Sequence, residues 1–139
     1  MRRYLLDTGI AGMYIARRDP VYNRAREETR RGNVVGICAP VLGELFYGAE
    51  NSASRERSLK ELRIGIPSLR VWSFTNEAAE EYGRIAAELR RLGRPMQQID
   101  IQIAAIALTL GDCTVVTTDS DLTAVPGLRT ENWAESPPA

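Results

Sequence analysis

The sequence predicts an α/β fold, with a mainly parallel sheet of four to five strands and helices on both faces. Short β-branched or apolar runs alternate along the chain with longer segments of helical spacing. The runs Tyr4-Leu5-Leu6, Val34–Ala39 and Cys113–Thr117 lack apolar–polar alternation, as strands covered on both faces do. With 139 residues, 44% hydrophobic and 26% charged, the chain has the size and mix of one globular domain. That domain is expected over 1–133, followed by a flexible tail over 134–139 that ends Ser136-Pro137-Pro138-Ala139.

Each element has its own signal. Tyr4–Leu6 is ended by Asp7-Thr8-Gly9, which predicts a buried strand and a turn. Ile10–Arg17 predicts a short helix, and Pro20 opens a second one running to about Arg31, stopped by Gly32-Asn33. Val34–Ala39 is the second strand. Pro40 starts a helix over Val41–Glu50, with Leu42, Leu45, Phe46 and Ala49 at helical spacing. Ser52 or Ser54 caps another helix to about Arg63, striped by Leu59 and Leu62. Arg70–Phe74 predicts the third strand. The next helix has Asn76 as its cap, Glu77, Glu80 and Glu81 in its first turns and Arg90 and Arg91 in its last, as the helix dipole prefers. Ile99–Leu110 is apolar enough for a helix buried on more than one side, Cys113–Thr117 is the fourth strand and Leu128–Thr130 a short fifth.

Composition removes whole chemistries. There is no histidine, which excludes Ser-His-Asp and Cys-His nucleophiles, histidine bases and histidine-containing zinc sites. The two cysteines, Cys38 and Cys113, lie in apolar runs and predict buried thiols of a reducing, cytoplasmic compartment. No apolar run reaches the ~18–20 residues of a membrane span, and no secretory signal pattern opens the chain. Net charge is zero but uneven: residues 1–94 carry 17 bases against 12 acids (+5), and residues 95–139 carry one base against six acids (−5). Seventeen of the 18 bases are arginine, six of them (Arg17, Arg18, Arg24, Arg26, Arg30 and Arg31) in the first helical region. Guanidinium forks suit phosphates and bases.

The acids point to a metal centre. In α/β sheets, sites form beyond the carboxyl ends of strands, where Asp7 follows the first strand and Asp119 and Asp121 follow the fourth. Asp7 and Asp119 would also serve as caps of following helices. Asp100 stands in Ile99–Ala107, where nearly everything else is apolar, and Glu44 sits among Leu42, Leu45 and Phe46. Two like charges ~4 Å apart repel by about 4 kcal/mol at an effective dielectric of 20, so convergence of Asp7, Glu44, Asp100 and Asp119 requires a counter-ion. Oxygen-only donors suit Mg²⁺ or Mn²⁺, which can activate water for phosphodiester hydrolysis.

Taken in order, Leu5-Leu6-Asp7-Thr8, Glu44-Leu45-Phe46-Tyr47-Gly48-Ala49, Asp100-Ile101-Gln102-Ile103-Ala104-Ala105 and Thr117-Thr118-Asp119-Ser120-Asp121-Leu122 resemble the PIN-domain ribonucleases. Val125-Pro126-Gly127-Leu128 and Asn132-Trp133 fit as well, so the resemblance spans residues 3–133. Within the family, the size and the Glu-Leu-x-x-Gly-Ala segment look most like VapC toxins of type II toxin–antitoxin pairs. The resemblance implies a three-layer α/β/α sandwich and an endoribonuclease dependent on Mg²⁺ or Mn²⁺. It implies a homodimer neutralised by a VapB-like antitoxin. Asp7, Glu44, Asp100 and Asp119 carry over as the catalytic acids, with Asp7, Asp100 and Asp119 as metal ligands. Thr8, Thr117, Thr118 and Asp121 are candidates to orient them; Asp121 replaces Asp119 as ligand if Asp119 caps the next turn. Two positions depart from the family pattern: Gly9 stands where Asn or Ser is frequent, and Gln98-Ile99 precedes Asp100 where Asn is often adjacent.

Two other classes compete. A haloacid-dehalogenase phosphatase would need a second Asp where Gly9 stands and a late lysine, whereas Lys60 is the only lysine. A non-catalytic PIN-like binding or assembly protein with a structural metal would have no need of four acids.

Overall fold

In the computed structural model, which describes residues 1–135, five strands form one parallel sheet in the order β3-β2-β1-β4-β5. The elements run β1 (Arg3–Leu6), α1 (Thr8–Ile15), α2 (Val21–Arg30), β2 (Val34–Cys38), α3 (Ala39–Glu50), α4 (Arg55–Gly65), β3 (Arg70–Trp72), α5 (Asn76–Arg91), α6 (Gln98–Leu110), β4 (Cys113–Val116), α7 (Ser120–Thr123) and β5 (Arg129–Glu131). A 3-10 turn at Ile66–Ser68 leads into β3. The fold is therefore the α/β sandwich that the sequence predicts, with the sheet parallel throughout. The expected tail residues 136–139 lie outside the described residues.

The chain moves from β1 outward to β2 and β3, then returns to the other side of β1 for β4. Right-handed crossovers then put α1–α4 on one face and α5–α6 on the other. The packing agrees: α1 touches α2, α3 and α4, while α5 packs on α6. The reversal between β1 and β4 opens a crevice beyond their carboxyl ends, which is where α/β sheets bind ligands.

Burial explains the central elements. Leu5, Leu6, Ile37, Val115 and Val116 are fully buried, and α6 buries Ile101 and an unbroken run from Ile103 to Ala107. Both cysteines are free and buried, and burial pushes Cys38 up to about 11 and Cys113 up to about 12. The one buried acid of the helices, Glu28, is held by Arg24 Nε (2.8 Å) and Asn33 Nδ2 (2.9 Å), which together keep its carboxyl below the usual range despite burial. Trp133 closes the far edge, its ring 5.0 Å from that of Tyr4 and 5.0 Å from the Arg24 guanidinium.

Local expectations shift in four places. Helix α1 runs Thr8–Ile15, so Thr8 and Gly9 are helical where a turn is expected and the helix ends two residues before Arg17. The cap of α5 is Thr75, whose hydroxyl accepts from Ala78 N–H, and Asn76 is the first helical residue. Ser54 precedes α4 but makes no side-chain cap; Ser52 Oγ accepts instead from Ser54 N–H (3.0 Å). The third strand ends at Trp72 and not Phe74, because Ser73 and Phe74 run past the last residue that β2 can pair.

Candidate functional site

The end of β1 and the end of β4 are tied by one hydroxyl. Thr117 Oγ1 donates a short hydrogen bond to Asp7 Oδ2 and accepts from the Asp119 backbone N–H at 2.9 Å. Thr117 is buried, and its own N–H is taken by the Glu131 carbonyl (2.9 Å), which fixes the hydroxyl from behind. Two acids from neighbouring strands are thereby held in one register. Thr118, beside it, is exposed and forms no such link.

Asp7 and Asp119 are also helix caps. Asp7 Oδ1 accepts from Ile10 N–H (2.9 Å) at the start of α1, and Asp119 Oδ1 accepts from Asp121 N–H (2.9 Å) at the start of α7. Each cap occupies a single carboxylate oxygen. Cap and cluster are therefore compatible, although the sequence offers them as competing roles.

Asp100 comes from the first turn of α6, half-buried opposite this clamp. Burial, then the charges of Asp119 and Asp7, push its carboxyl up to about 6. Burial also raises Asp7, against the lowering effect of the Thr117 and Ile10 hydrogen bonds, and Asp119 adds to the rise. Asp7, Asp100 and Asp119 thus share one electrostatic environment. Asp121 acts on Asp100 more weakly than Asp119 or Asp7 and is exposed.

Glu44 stands at the margin. It is exposed on α3, and Thr8 Oγ1 donates to its Oε1 at 2.7 Å. Thr8 directly follows Asp7, so this bond joins α3 to the end of β1. The Cβ that Gly9 lacks would come 3.9 Å from Asp7 Oδ1, an ordinary contact. The glycine at this departure from the family pattern therefore leaves open room beside the carboxylate.

Among the described residues, no group of three or more acidic or thiol side chains closes tightly enough to form a finished metal cage. The donor chemistry nonetheless fits a hard divalent cation. The donors are all oxygens, and the Asp7 and Asp100 carboxyls are driven up by burial and by the charge of Asp119, with Asp7 also acting on Asp100.

Sequence reasoning names the arginines of the first helical region without assigning them. Arg24 and Arg31 pair with acids of their own helix, at a spacing of four residues from Glu28 and Glu27, a signal the sequence does carry. Arg30 also pairs with Glu27, and with Arg17, Arg18 and Arg26 it lines a cavity of about 820 Å³ that includes Tyr14 and Tyr22. The two tyrosines carry no sequence signal, since their partners lie on separate elements.

Comparison with known proteins places this geometry among relatives. The PIN domain family model matches residues 4–128. The chain is 34% identical over 134 residues, 96% of this chain and 100% of the relative, to a tRNA(fMet)-specific endonuclease VapC of Shigella flexneri. It is 32% identical to a ribonuclease VapC2 of Haemophilus influenzae, covering 96% of this chain and 99% of that one. Among solved structures, VapBC2 from Rickettsia felis bound to a promoter DNA fragment superposes with a TM-score of 0.88 at 29% identity, covering 94% of this chain and 98% of that one. DNA-bound VapBC from Salmonella typhimurium superposes at 0.86 with 33% identity, covering 96% and 99%.

Proposed function

The chain belongs to the PIN-domain family, and from that premise we propose that it is an endoribonuclease of the VapC type, the toxin of a toxin–antitoxin pair. Its relatives across nearly the full length are ribonucleases, and its structural neighbours are toxin–antitoxin complexes. The observation that carries the reading is the clamp of Asp7 and Asp119 through Thr117, with Asp100 raised beside it at the crevice between β1 and β4.

In this proposal Asp7, Asp100 and Asp119 would hold Mg²⁺ or Mn²⁺, and Glu44 completes the catalytic acids. When bound, the cation supplies positive charge against the phosphodiester and lowers the pKa of an attacking water. The chain's own residues do the positioning. Thr117 fixes the Asp7 carboxylate and the backbone of Asp119 together, so neither can turn away independently. The Ile10 N–H holds the second oxygen of Asp7. Asp100, protonated below about pH 6 in the metal-free chain, ionises fully only above that. Thr8 keeps Glu44 directed toward the same end of the sheet.

The working unit is proposed to be a homodimer in the cytoplasm, held inactive by a VapB-like antitoxin. Its support is family membership and the antitoxin-bound neighbours. No helix of the described residues is long and apolar enough to cross a membrane.

The test is cleavage of a mixed RNA pool, tRNA included, by purified protein in EDTA, Mg²⁺ or Mn²⁺, beside Asp100→Asn. Fragments that require the cation and vanish in the variant are expected. Cation-independent fragments, or full turnover by Asp100→Asn, would overturn the assignment.

A further inference from the structure

One cavity in the described residues is separate from the acidic crevice. It lies between α1, α2, α4 and the 3-10 turn, with a volume of about 820 Å³, well inside the range of ligand sites. Five guanidinium groups line it, from Arg17, Arg18, Arg26, Arg30 and Arg57, against one carboxylate, Glu61. Arg57 is paired with that carboxylate at 3.2 Å and Arg30 with Glu27 at 2.6 Å. Arg17, Arg18 and Arg26 have no acidic partner among the described residues, and all three are exposed. Arg17 moreover sits at φ 57, a backbone region that glycine or asparagine enters more readily than arginine.

The wall adds aromatic surface. Tyr14 and Tyr22 stand with ring centroids 5.5 Å apart, and Tyr14 is anchored through its hydroxyl to Ser68 Oγ at 2.6 Å. The Arg26 guanidinium lies over the half-buried Tyr22 ring at 5.5 Å. Tyr14 is buried, so Tyr22 is the ring with surface to offer, and the Arg26 guanidinium also donates to its hydroxyl at 3.3 Å. Guanidinium forks without acidic partners beside a partly exposed ring suit a single RNA strand: the forks take phosphates and the ring edge meets a base.

The cavity is also aligned with the carboxylates. Helix α1 begins beside Asp7 and ends at Ile15 on the cavity wall. Eight residues of helix cover about 12 Å, the rise of about three to four stacked nucleotides. We propose that this arginine–tyrosine cavity is a second RNA-contacting site, which anchors the phosphate backbone of the substrate one helix length from the acidic crevice. The proposal rests on the endoribonuclease reading. An acidic protein segment would answer the charge, but it would have no use for the alignment with the carboxylates.

The test reads binding without cleavage. A fluorescein-labelled oligouridylate of about 12 nucleotides is titrated in EDTA with the full chain, at several salt concentrations, and followed by anisotropy. Arg18→Ala/Arg26→Ala is expected to weaken binding at least about tenfold and to flatten the dependence of log K on log salt by about 1.4, two phosphate contacts' worth for a single strand. Arg18→Lys/Arg26→Lys should recover most of the slope, and Tyr22→Leu should weaken binding with the slope unchanged. Unaltered thermal melting of the variants checks that they fold. Wild-type affinity and slope in the alanine pair would overturn the proposal. So would polyglutamate binding that the alanine pair loses while keeping its RNA affinity, which would assign the cavity to an acidic protein segment. A chain that binds through the cavity yet never cleaves RNA with Mg²⁺ or Mn²⁺ would refute the endoribonuclease and leave the anchor standing.

Discussion

Asp7 carries two jobs on two oxygens, and the two can be separated by choice of substitution. Asparagine keeps an oxygen for the Ile10 N–H, whereas alanine removes the cap of α1 as well as the charge. Asp7→Asn is expected to abolish RNA cleavage with little change in melting, and Asp7→Ala to cost about 1 kcal/mol more in urea unfolding, the usual worth of a cap. Equal stability of the two variants would show that the hydrogen bond to Ile10 contributes nothing. Asp100 gives a pH signature. Its folded carboxyl stands at about 6 against an ordinary 3.8, so the folded chain binds the extra proton and is favoured below that ordinary value. In EDTA, stability should therefore decline as pH rises from about 4 through about 6. Asp100→Asn should flatten that limb of the melting profile and melt a few degrees above the parent at pH 8. A profile unchanged by the substitution would mean that neither burial nor the acidic neighbours raise the Asp100 carboxyl. The acid types and positions were readable from sequence because nothing in a buried parallel strand calls for a carboxylate at its end. The choice between cap and cluster was not, since that depends on which oxygen faces which N–H.

The elements were legible where one signal dominates. Strands buried on both faces show as unbroken apolar runs, and α5 shows its stripe and dipole charges, so both were placed to within a residue or two. Four-residue α7 was legible only as the turn that Asp119 would cap, because one turn is too short to display a period of its own. Glu28 likewise reads as a surface residue of a charged helix, yet it is buried because Arg24 and Asn33 meet it from outside its own turn. The pairing of β3 depends on a glycine that sequence does not explain. A Cβ at Gly36 would fall 2.5 Å from the Arg70 carbonyl oxygen and 2.8 Å from the Trp72 ring, so the edge strand closes down on bare backbone. Gly36→Ala is expected to destabilise the chain by roughly 1–3 kcal/mol through overpacking, read as a lower urea midpoint. A neutral outcome would mean that β3 can move away at no cost.

At the scale of the whole molecule, the two halves of the charge pattern find different uses. The acidic segment 95–139 returns the chain to β1 and delivers Asp100 and Asp119 beside Asp7, while the basic segment builds the arginine-lined face around α1 and α2. The sequence shows the imbalance but not its geometry, because only the reversal of strand order at β1 brings residues 7, 100 and 119 to one crevice. That crevice concentrates negative charge with no basic side chain in its hydrogen-bond network, so the folded chain carries a repulsion that the unfolded chain does not. A cation that binds the folded crevice and not the unfolded chain must then raise stability by mass action, by about 2.7 kcal/mol at a hundredfold excess over its dissociation constant. For a chain of this length, melting should rise on the order of 10 °C between EDTA and saturating Mn²⁺. The same titration of Asp100→Asn should show most of that rise gone, because one charge and one donor have left the set. Calcium, larger and less demanding in geometry, is a control for charge alone. Equal shifts in parent and variant would place the stabilising cation elsewhere on the molecule, and with it the case for a metal at Asp7, Asp100 and Asp119 would fall.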